Sequence, residues 1–222
     1  MTGAQLTFAE FESHCLAYLS QRDATPPSLS DELSWRTYAT GWTWHPALHP
    51  GVAFESTACL ERSFPLLNRT YSPPPNSLDD QVEEEDDPAT TPSLQDDGKI
   101  GGREVVTVVQ TIAYSRVWRL PVLHFHAYLS SGDPVPLEQL AVLNIVHATG
   151  TLPQSGEQDD QAQAAISVGD HPRTGLPSYF LHPCHTNAAL SLLLQRQQDE
   201  REAGYMASFI SLCASAVEMR AT

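Results

Sequence analysis

The fold is decided by residues 103–129, which read REVVTVVQTIAYSRVWRLPVLHFHAYL. The run from Arg103 to Trp118 is rich in valine and isoleucine, and the run from Leu120 to Leu129 contains Val122, Leu123, Phe125 and Tyr128. β-Branched and aromatic residues in such runs favour strands. Because very little chain separates the two runs, they predict a hairpin of two strong β-strands.

Apolar spacing on either side of this hairpin predicts the remaining elements. Thr7 and Glu10 have the spacing of a capping box at the start of the first helix. Gly204 is expected to end the helix that precedes it. The expected elements are a helix over residues 5–21, strands over Leu33–His45 and Val52–Phe64, a helix over Pro134–Ala148, a helix capped by Thr186 that runs through Leu194 and up to Glu202, and a last helix over Tyr205–Met219. Strands followed by helices predict an α+β domain, in which an antiparallel β-sheet of about four strands is covered by helices.

An acidic insertion interrupts this pattern at residues 70–102. Nine acidic residues and one lysine lie between residues 79 and 99. Such a segment cannot bury enough apolar surface to offset its ordering entropy, so we expect a disordered loop. A second flexible loop is expected over residues 149–163. The chain is thus predicted to be one domain over residues 1–222, and the acidic loop could also contact a basic partner.

Composition restricts the classes of partner. The chain has 222 residues, of which 41% are hydrophobic, and its formal net charge is −15. Nucleic acid and anionic membrane surfaces are disfavoured, because binding phosphates requires clustered cations. Residues 1–5 have no basic or apolar leader pattern, and no apolar run approaches the ~18 residues of a membrane span. We therefore expect a cytoplasmic protein, and no cofactor.

Four cysteines are too few for a disulfide scaffold in a chain of this length. No Cys-x-x-Cys pair is present, which disfavours a structural zinc site. Cys15 and Cys213 lie on apolar helix faces and are expected in the core. Cys59 falls on the polar face of its predicted strand and is expected to be exposed.

The fourth cysteine, Cys184, lies in the short block His182-Pro183-Cys184-His185. Pro183 keeps the preceding chain out of regular structure. If Thr186 caps a helix, Cys184 lies near free backbone N–H groups and the positive end of the helix dipole. Such surroundings and neighbouring imidazolium groups lower the pKa of a thiol, which makes Cys184 a candidate nucleophile.

Three other interpretations of Cys184 remain open. A cysteine beside histidines is often purely structural. A cysteine hydrolase would need a base and an orienting Asn or Asp, which are usually remote in sequence. A metal site could combine Cys184 and His182 with His124 and His126, which share one face of a strand.

Several motifs resemble the autophagy-related protein 10 family, a group similar to ubiquitin-conjugating enzymes. The first is the run WTWHP at residues 42–46, and a second group comprises Tyr114, Trp118 and the run PVLHF at residues 121–125. The most specific part is GDHP at residues 169–172 followed by YFLHPCHT at residues 179–186. Residues 205–212 resemble the C-terminal helix of the family. The resemblance covers most of the chain outside the two loops.

This resemblance implies a ubiquitin-conjugating-enzyme-like core and a chemistry for Cys184. The cysteine of the family accepts the ubiquitin-like modifier autophagy-related protein 12 as a thioester from the activating enzyme, autophagy-related protein 7. It then transfers the modifier to a lysine of autophagy-related protein 5. Both steps pass through an oxyanion that needs hydrogen-bond donors. Because the His-Pro-Asn motif of ordinary ubiquitin-conjugating enzymes is missing, we expect His182, and secondarily Tyr114, to supply them.

The same motifs also fit two other functions. A second autophagy conjugating family, which lipidates its modifier, shares the His-Pro-Cys block, and a non-catalytic adaptor could use the same fold. The strand from Arg103 to Trp118 could offer an edge for pairing with a substrate protein. Lys99 is the only lysine in the chain, which suits an enzyme that handles activated acyl groups but also fits codon bias.

Overall fold

The computed structural model describes residues 4–24, 36–68, 99–100, 103–147, 166–196 and 202–220. The helices are α1 (Phe8–Ala24), α2 (Arg36–Ala39), α3 (Leu137–Val142), α4 (Pro183–Arg196) and α5 (Glu202–Cys213), and a 3₁₀ helix spans Val52–Thr57. The strands are β1 (Thr43–His45), β2 (Cys59–Asn68), β3 (Lys99–Ile100), β4 (Arg103–Ser115), β5 (Leu120–Tyr128), β6 (Ile166–Asp170) and β7 (Pro177–Leu181).

In the described part of the chain, seven strands form one sheet in the order β1-β2-β4-β5-β7-β6, with the two-residue β3 paired to β4. Every pairing is antiparallel. The predicted α+β class is confirmed, but the expected number of about four strands was too low. The short strands β3, β6 and β7 account for the difference, because runs of two to five residues carry too little alternation to predict a strand.

The predicted hairpin is confirmed, and it forms the centre of the sheet. Strands β4 and β5 pair from Ser115 with Leu120 to Thr107 with Tyr128. On its other side β4 pairs with the whole length of β2. The idea that β4 offers a free edge to a substrate protein is therefore wrong, since its backbone hydrogen-bonding groups are used on both sides.

Helices cover one face of the sheet. Helix α5 packs against α1 and α4, and α4 also contacts β5. Alternate residues of the hairpin, such as Val108, Ile112 and Phe125, are fully buried in the resulting core. Cys15 and Cys213 are buried there as predicted. We call the opposite side of the sheet the outer face.

The first helix is fixed by the predicted capping box. The backbone N–H of Thr7 donates to Glu10 Oε2 at 2.6 Å, and the N–H of Glu10 donates to Thr7 Oγ1 at 3.3 Å. These two bonds satisfy N–H groups that a helix start leaves unpaired. Helix α1 begins beside them, at Phe8.

Two strand predictions were wrong over part of their length. Within the described part of the stretch Leu33–His45, which starts at Arg36, only Thr43–His45 is a strand, and Arg36–Ala39 is helical. There the indole N–H of Trp42 donates to the carbonyl oxygen of Tyr38 at 2.8 Å, so the aromatic spacing reflects a turn. Residues 52–57 form the 3₁₀ helix, and the following strand begins only at Cys59.

The helix predictions differ mainly at their ends. Helix α3 covers only Leu137–Val142 of the predicted range. Gly204 lies inside α5 rather than before it, and that helix ends at Cys213. None of the helices in the described part of the chain is both long and apolar enough to cross a bilayer.

Cys59 is fully buried, so the expectation of an exposed thiol was wrong. It does lie on the outer face, paired with Ala113. A segment remote in sequence helps to hold the chain in place there: Arg173 Nη1 donates to the carbonyl oxygens of Pro46 at 2.9 Å and Thr57 at 2.8 Å. Burial raises the pKa of Cys59 to about 12.

The two predicted loops fall largely outside the described residues. Of the acidic stretch 70–102, the structure describes only Lys99 and Ile100, which pair with Glu104 and Arg103. Those two residues are a strand, contrary to the predicted disorder. The loop predicted over 149–163 lies wholly outside the described residues.

Candidate active site

Cys184 lies in the first turn of α4 and is exposed. The other three cysteines are buried, and all four are free thiols. Burial raises the pKa of Cys15, Cys59 and Cys213. Because a thiol reacts as the accessible thiolate, Cys184 is the only one of the four placed to react with a large partner.

The local sequence explains why the helix starts at this cysteine. Strand β7 ends at Leu181, and Pro183 occupies the first helical position, where its missing N–H costs nothing. His182 Nδ1 lies 3.3 Å from the backbone nitrogen of Cys184 and accepts its N–H. The His182 ring therefore acts as the N-cap of α4, because it accepts a hydrogen bond from an N–H of the first turn.

Thr186 is not the N-cap that the sequence suggested. It lies within the first turn, is 3% exposed, and donates its hydroxyl to the carbonyl oxygen of Pro183 at 3.2 Å. Cys184 is thus inside the helix start rather than before it. Its position lies at the N-terminal end of the helix, where backbone N–H groups are left without intrahelical partners.

His182 is held by two aromatic rings. Trp118 meets it edge-on, with ring centroids 5.4 Å apart and an interplanar angle of 74°. The ring of Phe180 also contacts it, with ring centroids 6.3 Å apart and an interplanar angle of 29°. The contact with Trp118 was not predicted, because it joins the β4–β5 turn to a residue 64 positions later.

A cleft of about 430 Å³ adjoins Pro183, the residue before the cysteine. Its floor is the outer face of the sheet, with Val122, His124 and Phe180 among its lining residues. The β4–β5 turn and the 3₁₀ helix form walls, and Arg116 of the turn lies 3.8 Å from Glu55 of that helix. The volume is within the range of pockets that hold small ligands or peptide segments.

Tyr114 belongs to the helix-covered face. Its ring packs against Phe8 and Phe11 of α1, and its hydroxyl donates to the carbonyl oxygen of Leu6 at 2.9 Å. This bond anchors the segment before α1. A role for Tyr114 as an oxyanion donor stays a prediction, and it would require that bond to break.

His124 and His126 share the outer face as predicted, and His171 joins them there. Ring centroids of His171 lie 5.5 Å from His124 and 5.7 Å from His126. His124 Nδ1 is 3.0 Å from Ser178 Oγ. Burial, with smaller effects of the two other histidines, lowers the pKa of His124 to about 3. The sequence signal for His171 was the GDHP turn, whose spacing alone does not reveal this contact.

The metal and hydrolase interpretations gain no support from the geometry. Among the described residues, no group of three or more histidines, cysteines or acids could hold a metal ion. The Nδ1 lone pair of His182 faces the backbone N–H of Cys184. It is therefore not aimed at the sulfur in the way that a hydrolase base would be.

Comparison with known proteins agrees with this geometry. Residues 10–221 match the family model of the autophagocytosis-associated protein, active-site domain. One relative, the ubiquitin-like-conjugating enzyme ATG10 of Dictyostelium discoideum, is 33% identical over 90 residues, which are 40% of this chain and 36% of that protein. The ubiquitin-like-conjugating enzyme ATG10 of Homo sapiens is 28% identical over 116 residues, 51% of this chain and 50% of that protein.

These alignments span between about a third and a half of the length of the two relatives. The family model, in contrast, covers nearly the whole chain, from α1 to the end of the described C-terminal segment. The resemblance to the autophagy-related protein 10 family is thereby confirmed. The chain belongs to the family of autophagocytosis-associated proteins that share this active-site domain.

Proposed function

We propose that this protein is a ubiquitin-like-protein conjugating enzyme of autophagy, with Cys184 as its thioester acceptor. One observation carries the proposal: the single exposed cysteine of the chain lies in the first turn of a helix whose first residue, Pro183, lines an open cleft, within a domain that matches an active-site family. Two relatives are named ubiquitin-like-conjugating enzymes, which supports the same reaction class.

The proposed first step is a transthioesterification. The thiolate of Cys184 attacks the carbonyl carbon of the modifier's C-terminal residue, which is held as a thioester on the activating enzyme. The new C–S bond forms as the old one breaks, and the cysteine of the activating enzyme leaves as a thiolate. Following the resemblance, we assign the modifier to autophagy-related protein 12 and the activating enzyme to autophagy-related protein 7.

The proposed second step is an aminolysis. A lysine amine of autophagy-related protein 5 attacks the same carbonyl carbon, the C–S bond breaks, and Cys184 leaves as a thiolate. The amine loses its proton to solvent, and an isopeptide bond remains. His182 Nε2–H would stabilise the oxyanion in both steps. We place the reaction in the cytoplasm, since all four cysteines are free thiols.

The test is a charging assay with activating enzyme, modifier and ATP, analysed on a gel without reductant. We expect an adduct that reductant cleaves, that Cys184→Ala abolishes, and that Cys184→Ser converts to a reductant-resistant ester. Cys59→Ala is the matched control and should charge normally, because that thiol is buried. An adduct that survives Cys184→Ala would overturn the proposal.

Discharge of the charged enzyme separates the other readings. Transfer to a lysine of autophagy-related protein 5 is the expected outcome. Transfer to an aminophospholipid instead would identify the lipidation branch. A wild-type chain that never charges, although it binds activating enzyme and modifier, would be an adaptor.

A further inference from the structure

The ring of His182 is fixed by contacts from two different elements. Trp118 approaches from the β4–β5 turn, and Phe180 approaches from β7. Edge-to-face and offset contacts of this kind favour one ring orientation over others. His182 is only half-buried, so its orientation depends on these two neighbours and on the hydrogen bond that Nδ1 accepts from Cys184.

The orientation of His182 decides which ring nitrogen carries the proton. Nδ1 accepts the N–H of Cys184 at 3.3 Å, and an acceptor nitrogen must be unprotonated. The proton of the neutral ring is then on Nε2. A neutral histidine in this tautomer offers one N–H donor beside the cysteine, and that donor is directed by the ring orientation.

The backbone around Trp118 is anchored by hydrogen bonds, although the residue is 38% exposed. The backbone N–H of Trp118 donates to Ser115 Oγ at 3.4 Å. Arg119, with a positive φ of 56°, closes the turn, and its N–H donates to the carbonyl oxygen of Ser115 at 2.7 Å. Leu6 then donates its N–H to the carbonyl oxygen of Arg119 at 2.8 Å. The turn is thus anchored to the segment before α1.

We propose that Trp118 is a positioning residue for the reaction at Cys184, acting through His182. It holds the imidazole so that Nδ1 caps α4 at the Cys184 amide and Nε2–H is presented as a hydrogen-bond donor to the thioester oxyanion. No proton is transferred from Nε2 in this role. The catalytic part of the inference rests on the proposed conjugating function, whereas the orientation of His182 does not.

The first test measures the orientation directly, by the ¹⁵N chemical shifts of the His182 ring in the full chain, assigned by their loss in His182→Ala. In wild type, Nδ1 should show the shift of an unprotonated nitrogen and Nε2 that of a protonated one. Trp118→Leu should move both shifts toward the average of a tautomer mixture. Trp118→Phe, which keeps an aromatic edge, should restore the wild-type pattern.

Val117→Ala is the matched control, because Val117 is in the same turn but is 87% exposed. It should leave both nitrogen shifts and the melting temperature unchanged. Folding of Trp118→Leu is checked by its melting temperature. A folded Trp118→Leu protein with wild-type His182 shifts would overturn the inference.

The second test follows discharge of the Cys184 thioester onto an amine. Trp118→Leu should slow discharge by about 10-fold, less than the roughly 100-fold typical of deleting an oxyanion donor outright. His182→Ala should approach that larger loss, and Trp118→Phe should stay within about 2-fold of wild type. Unchanged discharge by the Leu variant would contradict the positioning role. If wild type never charges, the proposed function fails, and the nitrogen shifts still decide whether Trp118 orients His182.

Discussion

The four cysteines of this chain differ in how far the fold buries them. Cys15 and Cys213 lie in the core between the sheet and the helices, and Cys59 is covered on the outer face. In each case burial disfavours the thiolate and raises the pKa. Cys184 combines exposure with a helix start, so accessibility separates it from the other three.

This difference predicts selective alkylation of the native protein. Iodoacetamide at pH 8 should modify Cys184 quickly and leave the other three thiols unmodified, whereas all four should react in denaturant. Intact mass and peptide mapping measure the sites. The Cys184→Ala variant should show no rapid native reaction. Rapid native labelling of Cys59 would contradict its burial, independently of any enzymatic role for Cys184.

At the level of elements, the outer face of the sheet carries an unusual group of histidines. His124 and His126 from β5 meet His171 from the β6–β7 turn. Burial lowers the pKa of all three, with Glu61 partly opposing the effect on His126 and His171. We call these three residues the histidine patch. They are neutral in the folded protein at neutral pH.

The histidine patch predicts that acid destabilises the fold in a defined pH window. The unfolded chain binds protons with the ordinary histidine pKa of about 6.5, whereas folded His124 has a pKa of about 3. The contribution of the histidine patch to the free energy of unfolding is therefore fully present above about pH 6.5. It falls as the pH drops toward the pKa of the folded state. For His124 alone the slope reaches about 1.4 kcal/mol per pH unit.

Urea denaturation between pH 7.5 and pH 5 measures this slope. His124→Phe removes one titrating group from the patch and should flatten the dependence relative to wild type. His49→Phe is a suitable control, because that histidine lies on the exposed segment before the 3₁₀ helix, outside the patch. Equal slopes in wild type and His124→Phe would show that His124 is not buried in its neutral form.

Elements with a strong local signal were predictable, and those defined by distant contacts were not. The hairpin and the capping box of α1 are confirmed because their patterns lie within a few residues. The helix Arg36–Ala39 was missed because aromatic residues spaced for a turn also fit a strand. The burial of Cys59 was missed because Arg173, more than 100 positions away, ties down the segment near it.

The same distinction holds for the candidate site. Cys184 could be singled out from its block of sequence, since proline and flanking histidines are local features. The contact of Trp118 with His182 depends on how β4, β5 and β7 are ordered in the sheet, which no local pattern encodes. The neighbours of Cys184 were therefore less predictable than the cysteine itself.

At the scale of the whole molecule, a buried arginine joins the parts of the fold. Arg62 is 3% exposed and lies over the Trp42 ring, 4.4 Å from its centroid. Its guanidinium donates to Gln110 and to the carbonyl oxygens of Tyr38, Thr40 and Met219. One side chain thus links the end of the chain to the sheet and to the segment after α2. Lysine, with three donors and no planar fork, could not replace these contacts.

Among the 12 lysine and arginine residues of the chain, Lys99 is the single lysine. An enzyme that carries an acyl group as a thioester would modify its own lysines if they lay near the reactive cysteine. Arg116 lines the cleft that adjoins Pro183, the residue before Cys184. If Cys184 carries an acyl group as proposed, a lysine at this position would place an amine in the neighbouring cleft. The planar, delocalised guanidinium of an arginine is a far poorer nucleophile than the amine of a lysine.

Arg116→Lys should therefore make the enzyme modify itself. In a Lys99→Arg background, and if Cys184 carries the modifier as proposed, the charged Arg116→Lys variant should accumulate a reductant-resistant adduct at least about 10-fold faster than the parent, since the new amine would line the cleft that reaches Pro183, next to the cysteine. Arg220→Lys is the matched control: it adds an amine at an exposed position outside the cleft. The adduct is measured on reducing gels and mapped by mass spectrometry. Equal adduct in the two variants would mean that the low lysine content gives no protection at the active site.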